Sequence, residues 1–417
     1  MELTYFRRGF GLKKDIEGDL RQDYASAIVD HLRAHEFQLQ AGRLTFRLAR
    51  EFGFCYGVDR AVEYAYETRR KFPDRPIKLV GEIIHNPHVN RRMEEMGITF
   101  LRHGAGAAFD FAAVGPDDVV ILPAFGVTVG DFERLRAIGC IVVDTTCGSV
   151  LNVWKRVESY AKDGFTSVIH GKHWHEETRA TASQALKYPE GRYLVVLDMA
   201  EARLVCDLIE QGGDPATLAA RFEGRTSAGF DFARHLERIG VANQTTMLAG
   251  ESLAIAAEFR KSLEKRWGAA ELPARFRSFD TICSATQERQ DAVIALLQEP
   301  PDLMVVIGGY NSSNTTHLAK LCAHRGVRTV HIEDAACVDP AAGTLRYRHP
   351  GAAAEVVEAG WLEGVRTIGL TAGASTPNNK IGETIARICE AAGVELAGTL
   401  APRQGGDSAP PAQSQAT

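Results

Sequence analysis

The sequence predicts an α/β fold with largely parallel sheets. Short apolar runs rich in β-branched residues alternate with helix-like stretches along the chain, a pattern typical of repeated strand–helix units. At 417 residues, the chain is long enough for two or three domains with separate cores. The predicted strands cover residues 77–80, 119–122, 141–143, 167–169, 193–197, 303–307, 328–332 and 367–370. The predicted helices include residues 60–70, 149–162, 288–297, 316–324 and 381–392.

The elements group into five segments along the chain. We expect a helical N-terminal extension (1–45), a first α/β unit with Cys55 (46–138), a second unit with Cys147 and a helical enlargement (139–278), a third unit with Cys283 (279–400) and a disordered tail (401–417). The tail is polar and low in complexity, which is the composition of segments that cannot bury a core.

Composition excludes several classes of protein. Charged residues make up 24% of the chain, hydrophobic residues 45%, and the net charge is −5, so no global basic field favours nucleic acid. No apolar stretch approaches the roughly 18 to 20 residues of a membrane span, and the N-terminus lacks a signal core. Eight cysteines in so long a chain do not resemble a disulfide scaffold. We therefore expect a cytoplasmic protein with reduced thiols.

Three of the cysteines share one local setting. Cys55, Cys147 and Cys283 each follow a short apolar or β-branched run and precede a helix-like segment. The separations of 92 and 136 residues are too long for a zinc finger or a ferredoxin run. This setting predicts one shared metal site with three protein ligands and an open fourth position. Spacing alone leaves zinc and an iron–sulfur cluster as alternatives.

Two small-residue loops predict an anion site. Ser312, Ser313 and Asn314 lie in a glycine-containing loop at the start of a helix, and Ser375 follows another predicted strand. Hydroxyls, an amide and free helix N–H groups can bind an anion without much positive charge. Each loop alone is more typical of a simple helix cap or a strand–loop–helix junction, whereas the two together are more specific for an anion site.

Histidines and acids follow other strands. His85 and His88 lie in one such segment, and a second segment holds His170, His173, His175, Glu176 and Glu177. These spacings allow a metal site, a proton-delivery pair of histidine and carboxylate, or ordinary hydrogen-bonded histidines. Gln244, Thr245 and Thr246 follow a further apolar run and are compatible with a proton relay or a capped helix start.

Eight motifs occur in the order found in one known family. They are G-F-C-Y-G-V-D-R-A, I-I-H-N-P, D-T-T-C, H-G-K-H-W-H-E-E-T, A-N-Q-T-T-M-L, T-I-C-S-A-T-Q-E-R-Q, N-S-S-N-T and T-A-G-A-S-T-P. In these motifs the chain resembles the 4-hydroxy-3-methylbut-2-enyl diphosphate reductases from about residue 6 to residue 392. P-A-F-G and H-E-E-T resemble the branch found in cyanobacteria and plant plastids.

The resemblance implies a fold and a reaction. The family fold is a cloverleaf of three α/β units around a central iron–sulfur cluster, which matches one cysteine per unit. The implied reaction removes the hydroxyl of the allylic diphosphate and yields isopentenyl and dimethylallyl diphosphates, the last step of the methylerythritol phosphate pathway. The implied electron donor is ferredoxin or flavodoxin.

The resemblance also implies roles for individual residues. Cys55, Cys147 and Cys283 correspond to the ligands of a 4Fe–4S cluster with one iron left open. Glu177 corresponds to the acid that supplies protons, with Thr245 in the relay. The diphosphate ligands correspond to His85, His175, Ser312, Ser313, Asn314 and Ser375.

The chain departs from the common family pattern at two places. Phe125 stands where the common bacterial branch has a histidine, which removes one contact to the diphosphate. Gly148 and Ser149 replace a proline and a bulky residue, so we expect a less rigid loop after the second cysteine. Two other functions fit a three-cysteine cluster: a non-catalytic sensor or electron carrier, and another hydro-lyase or synthase. The serine and asparagine loops and the acid motif favour the reductase.

Overall fold

The computed structural model describes residues 4–104, 108–279 and 281–396. Its strands are β1 (Tyr5–Phe6), β2 (Gln38–Ala41), β3 (Leu44–Leu48), β4 (Ile77–Val80), β5 (Ile98–Leu101), β6 (Val119–Leu122), β7 (Ile141–Asp144), β8 (Thr166–His170), β9 (Arg192–Val196), β10 (Ile239–Asn243), β11 (Phe276–Ser278), β12 (Leu303–Ile307), β13 (Thr329–Ile332), β14 (Val338–Asp339), β15 (Thr344–Arg348), β16 (Glu355–Ala359) and β17 (Thr367–Ala372). Its helices are α1 (Lys13–Tyr24), α2 (Ala27–Ala34), α3 (Tyr56–Lys71), α4 (Pro87–Glu95), α5 (Val129–Ile138), α6 (Gly148–Lys162), α7 (Glu176–Ala185), α8 (Met199–Gln211), α9 (Pro215–Arg221), α10 (Ala249–Trp267), α11 (Leu272–Arg275), α12 (Ser284–Leu296), α13 (Ser313–His324) and α14 (Asn378–Ala392), with a 3-10 turn at Ala335–Cys337.

The described residues form three sheets, which confirms the α/β fold. Sheet one has the order β1-β7-β6-β4-β5, and sheet two has the order β11-β10-β8-β9; all of their pairings are parallel. Sheet three has the order β14-β15-β13-β12-β17-β3-β2, with β16 against β15. Its centre is parallel and its edges are antiparallel. All eight predicted strands are present with bounds within two residues.

The chain passes from one sheet to the next at each of the three cysteines. Cys55 follows β3 of sheet three, and α3 then packs against sheet one through Ala61 and Val62. Cys147 follows β7 of sheet one, and α6 packs against sheet two. Cys283 follows β11 of sheet two, and α12 packs against sheet three through Val293. Each cysteine therefore lies at a junction between two units.

This arrangement differs in detail from the segments expected from the sequence. The proposed boundary at residue 46 falls inside β3, which pairs with β17 rather than with a strand of sheet one. β7, expected to open the second unit, instead pairs with β6 and belongs to sheet one. The local apolar pattern marks a strand but carries no information about its partner, because that pairing joins residues far apart in the chain.

The N-terminal extension contains strands as well as the expected helices. β1 adds an edge strand to sheet one by pairing Tyr5 with Val142, and β2 forms a hairpin with β3. The segment before α1 is held on α3 by Glu67, which accepts from the backbone N–H groups of Phe10 at 2.5 Å and Leu12 at 2.7 Å. The predicted tail, residues 401–417, lies outside the described residues.

The helices of the fold were compared with the length and polarity that a membrane span requires. Within the described ranges, every helix is too short or too polar to span a bilayer.

Candidate active site

One cavity lies where the carboxyl ends of strands from all three sheets meet, the edge at which parallel sheets bind ligands. Its empty space, including the mouth, is about 710 Å³. The loop after β6 contributes Ala124, the loop after β10 contributes Thr245, and the loop after β17 contributes Ala374. Every residue proposed for the site lines this cavity: Cys55, His85, Cys147, His175, Glu177, Thr245, Cys283, Ser312, Ser313, Asn314 and Ser375.

Each of the three cysteines is the residue that precedes the first turn of a helix. Cys55, Cys147 and Cys283 have extended backbone dihedrals and begin α3, α6 and α12. The N-terminus of a helix carries partial positive charge and unpaired N–H groups, which stabilise a thiolate. Burial raises the pKa of the Cys55 and Cys147 thiols, while helix N–H groups, from Val58 and Ser149 respectively, oppose the rise.

The three helix starts approach each other closely. Gly57, in the first turn of α3, lies so near its neighbours that an added Cβ would be 2.4 Å from Cys147 Sγ and 4.0 Å from Cys55 Sγ. The Ser149 hydroxyl, in the first turn of α6, lies 3.3 Å from Cys283 Sγ. All three thiols are free. The fold therefore brings together three sulfurs that the sequence separates by about a hundred residues or more.

Two arginines connect these helices to neighbouring cysteine loops. Arg60 on α3 donates to the carbonyl of Thr146, next to Cys147, at 2.5 Å. Arg289 on α12 is buried and donates to the carbonyl of Gly53, two residues before Cys55, at 2.7 Å. Spacing in the sequence did not identify these arginines, because their role depends on how the helices meet.

The loop before α6 is held by hydrogen bonds rather than by a proline. The carboxylate of Asp144 accepts from the backbone N–H of Thr146 at 2.9 Å and from its hydroxyl at 2.5 Å. The N–H of Cys147 donates to the carbonyl of Ala124 at 2.8 Å. These contacts fix the cysteine loop although Gly148 follows it.

The loops before α13 and after β17 present polar atoms to the cavity. The side-chain oxygen of Asn314 accepts from the N–H of Ala374 at 2.9 Å, which fixes the orientation of the amide. Its Nδ2 is buried without a partner among the described residues, as is Ser313 Oγ. His85 Nδ1 donates to the Glu82 carboxylate at 2.9 Å, and its Nε2 lies 3.7 Å from Glu176 Oε2. Ser375 Oγ lies 3.4 Å from Ser312 Oγ and donates to the carbonyl of His85 at 3.2 Å. Buried polar groups without partners are costly, so these donors are suited to a ligand that carries several oxygen acceptors.

Aromatic contacts position the two histidines. The His85 ring stacks on Phe125 with centroids 4.6 Å apart and an angle of 11°, and meets His175 edge to face at 4.9 Å. Phe125 thus supports His85 from the position where the common pattern has another histidine. His175 Nδ1 accepts from the Glu177 N–H at 3.1 Å, which places the proton of the neutral ring on Nε2. Burial, assisted by charge on His85, lowers the pKa of His175 well below 6.5.

The other histidines of these motifs lie outside the cavity. His88 lies beside the ring of Tyr24, and the Nδ1 atom of His170 lies 2.8 Å from the Ser252 hydroxyl. One histidine of each motif does converge: the ligand atoms of His85, His175 and Glu176 lie within 4.8 Å of one another, which is close enough to hold an ion. The structure therefore does not bring the H-x-x-H and H-x-H motifs together as whole units.

Glu177 is the buried acid of the site. Its side chain is 3% exposed, and its Oε1 accepts from the backbone N–H of Thr245 at 2.6 Å. Burial raises the pKa of Glu177 from 4.5 to about 7, although hydrogen bonds from Thr245 oppose the shift. A carboxyl group with this pKa can hold a proton near neutral pH and release it to a bound ligand.

The family model described as LytB protein matches residues 46–389. The chain belongs to the LytB family. It is 48% identical over 399 residues to a 4-hydroxy-3-methylbut-2-enyl diphosphate reductase of Gloeobacter violaceus, with 95% of this chain and 94% of the relative covered. It is 49% identical over 388 residues to the protein of the same name from a Synechococcus strain, with coverages of 93% and 94%.

A solved structure supports the fold of this LytB family member. The E-1-hydroxy-2-methyl-but-2-enyl-4-diphosphate reductase from Plasmodium falciparum matches with a TM-score of 0.60 and 22% identity, covering 82% of this chain and 87% of the other.

LytB proteins are iron–sulfur enzymes. The donor set fits such a cofactor, because three free thiols converge on one cavity and each lies at a helix N-terminus.

Gly57 gives a test of the convergence of the cysteines. In Gly57→Ala the new methyl group overlaps Cys147 Sγ, so we expect at least a severalfold loss of bound iron per chain after anaerobic reconstitution. Gly148→Ala is the matched control, since nothing lies within 4 Å of a Cβ at that helix start. Both variants are first checked for native helix content by circular dichroism. Equal iron in Gly57→Ala and Gly148→Ala would show that the thiols do not approach as described.

Glu177 gives a test based on pH. The folded chain binds a proton at Glu177 up to about pH 7, whereas the unfolded chain releases it near 4.5. The free energy of unfolding therefore falls by about 3 kcal/mol in total as the pH rises through this window. Glu177→Gln should lack this decrease. In chemical denaturation of the cluster-free protein, we therefore expect the free energy of unfolding of Glu177→Gln to increase relative to that of the unsubstituted chain between pH 5 and pH 8. Glu190→Gln, at an exposed carboxylate, is the control, and a pH-independent difference for Glu177→Gln contradicts the assignment.

Proposed function

We propose that this chain reduces 4-hydroxy-3-methylbut-2-enyl diphosphate to isopentenyl and dimethylallyl diphosphates, as the last step of the methylerythritol phosphate pathway. The proposal depends on the lining of one cavity, which combines three converging cysteines, unpaired hydroxyl and amide donors, and a buried acid. The names of the relatives, which share nearly half of their residues with this chain, support the same reaction.

Cys55, Cys147 and Cys283 are proposed to hold a 4Fe–4S cluster. When bound, the cluster supplies single electrons and a Lewis-acidic iron beside the substrate hydroxyl. The positive ends of α3, α6 and α12 stabilise the three thiolates. The guanidinium groups of Arg60 and Arg289 fix the positions of neighbouring cysteine loops by hydrogen bonds to their backbone carbonyls.

The diphosphate is proposed to bind at the start of α13. Asn314 Nδ2 and Ser313 Oγ are buried donors without partners in the described protein, and the free N–H groups of the helix start add to them. Ser312 and Ser375 supply two more hydroxyl groups 3.4 Å apart. His85 and His175 complete the site: His175 carries its proton on Nε2, and the His85 ring, held through Nδ1 by Glu82, lines the same cavity.

Glu177 is proposed to protonate the leaving hydroxyl. The reaction breaks the allylic C–O bond, adds two electrons and two protons, and releases water. Near neutral pH, Glu177 retains a proton because it is buried, and the N–H of Thr245 fixes the position of its carboxyl group. The Thr245 hydroxyl is proposed to pass protons between the substrate and this acid.

An external one-electron donor must supply the two electrons. We propose a ferredoxin or a flavodoxin, the donors that the resemblance to the family implies, because the proposed cluster accepts electrons one at a time. No nucleic-acid partner is proposed for a chain with a net charge of −5.

The experiment measures turnover by protein reconstituted with iron and sulfide under argon. With a strong one-electron reductant, we expect conversion of the hydroxylated C5 diphosphate into both products. Glu177→Gln should keep its iron and its substrate affinity and lose at least about a hundredfold in rate, the usual contribution of a general acid. Glu190→Gln is the control for loss of an exposed carboxylate. A fully loaded protein without turnover contradicts the proposed reaction, and an unchanged rate in Glu177→Gln removes that residue from it.

A further inference from the structure

Ser149 makes a side-chain contact between two cysteine-bearing helices. It lies in the first turn of α6, two residues after Cys147. Its Oγ lies 3.3 Å from Sγ of Cys283, which begins α12. A hydroxyl that faces a sulfur at this distance can donate a hydrogen bond, and it does so most strongly when the sulfur is a thiolate.

The position of Ser149 is determined by its surroundings. The backbone N–H of Cys147 is bonded to Ala124, and the next helical bond joins the N–H of Leu151 to the carbonyl of Cys147. The start of α6 is therefore fixed on sheet one, and the hydroxyl is directed towards the cysteine sulfurs, with Cys147 as a second hydrogen-bond partner beside Cys283. The open space at Gly148 leaves the helix start free of side-chain overlap.

We propose that Ser149 donates a hydrogen bond to the Cys283 thiolate and thereby raises the reduction potential of the iron–sulfur cluster. The inference rests on the cluster named under the proposed function. Reduction adds negative charge to a cluster and its sulfur ligands, and a donated hydrogen bond stabilises that added charge. The residue pattern usual for the family, a proline followed by a bulky residue, supplies no hydroxyl here. Ser149 is thus a positioning and tuning residue that acts through a cysteine.

The direction in which the reduction potential changes distinguishes this role from other roles that a serine could have at this position. A serine that bound iron through its own oxygen would replace a soft ligand with a hard, electron-donating one and lower the potential. A serine that only filled space would leave the potential unchanged. Loss of a donated hydrogen bond moves the potential to more negative values.

The experiment is a redox titration of reconstituted holoprotein under argon, followed by electron paramagnetic resonance of the reduced cluster. Ser149→Ala is compared with the unsubstituted chain after both are shown to hold the same amount of iron and sulfide. We expect the equilibrium constant for reduction to fall about tenfold in Ser149→Ala, which is about 59 mV for one electron. Ser149→Thr, which keeps the hydroxyl, should restore most of the difference.

Ser284→Ala is the matched control. Ser284 is exposed and directly follows Cys283, so its removal tests whether any lost hydroxyl near the cysteine has the same effect; we expect no shift. Pulsed resonance in deuterated water should also show an exchangeable deuteron near the reduced cluster that is lost in Ser149→Ala.

Two results would overturn the inference in different ways. An unchanged or more positive potential in a fully loaded Ser149→Ala protein contradicts the role of Ser149 and leaves the proposed reaction intact. An unsubstituted chain that binds no iron–sulfur cluster overturns the proposed function and this inference together.

Discussion

The site depends on three helices that begin at a cysteine where the chain leaves one sheet for the next. Cys55, Cys147 and Cys283 each join a strand of one unit to a helix that packs on another. Because each sheet core is packed separately, the relative placement of the sheets determines where the sulfurs meet. Gly57 lacks a Cβ atom, which lets the start of α3 lie close to Cys147 Sγ. Arg60 and Arg289 keep the cysteine loops in place through hydrogen bonds to backbone carbonyls.

Burial determines the chemistry of the cavity in two ways. It raises the pKa of Glu177 to about 7, so a substantial fraction of this carboxyl group carries a proton at neutral pH. It also leaves Asn314 Nδ2 and Ser313 Oγ without partners among the described residues. Unpaired buried donors have an energetic cost, and the diphosphate proposed to bind them would offset that cost.

The sequence predicted the strands better than their partners. Local apolar runs were sufficient for β4, β6 and β12, whose bounds were correct. They could not show that β3 pairs with β17, because that contact joins the two ends of the chain. The site residues were found through ordered motifs that resemble a known family. Gly57, Arg60 and Arg289 were missed, since their importance depends on distances between helices that no local spacing contains.

Three distant cysteines are proposed to bind one cluster with an open position. Metal and sulfide analysis, combined with Mössbauer spectroscopy on protein purified and reconstituted under argon, can test this binding. We expect about four irons and four sulfides per chain, with one iron distinct from the other three because it lacks a cysteine ligand. A single zinc ion, or four equivalent irons, would rule out such a cluster.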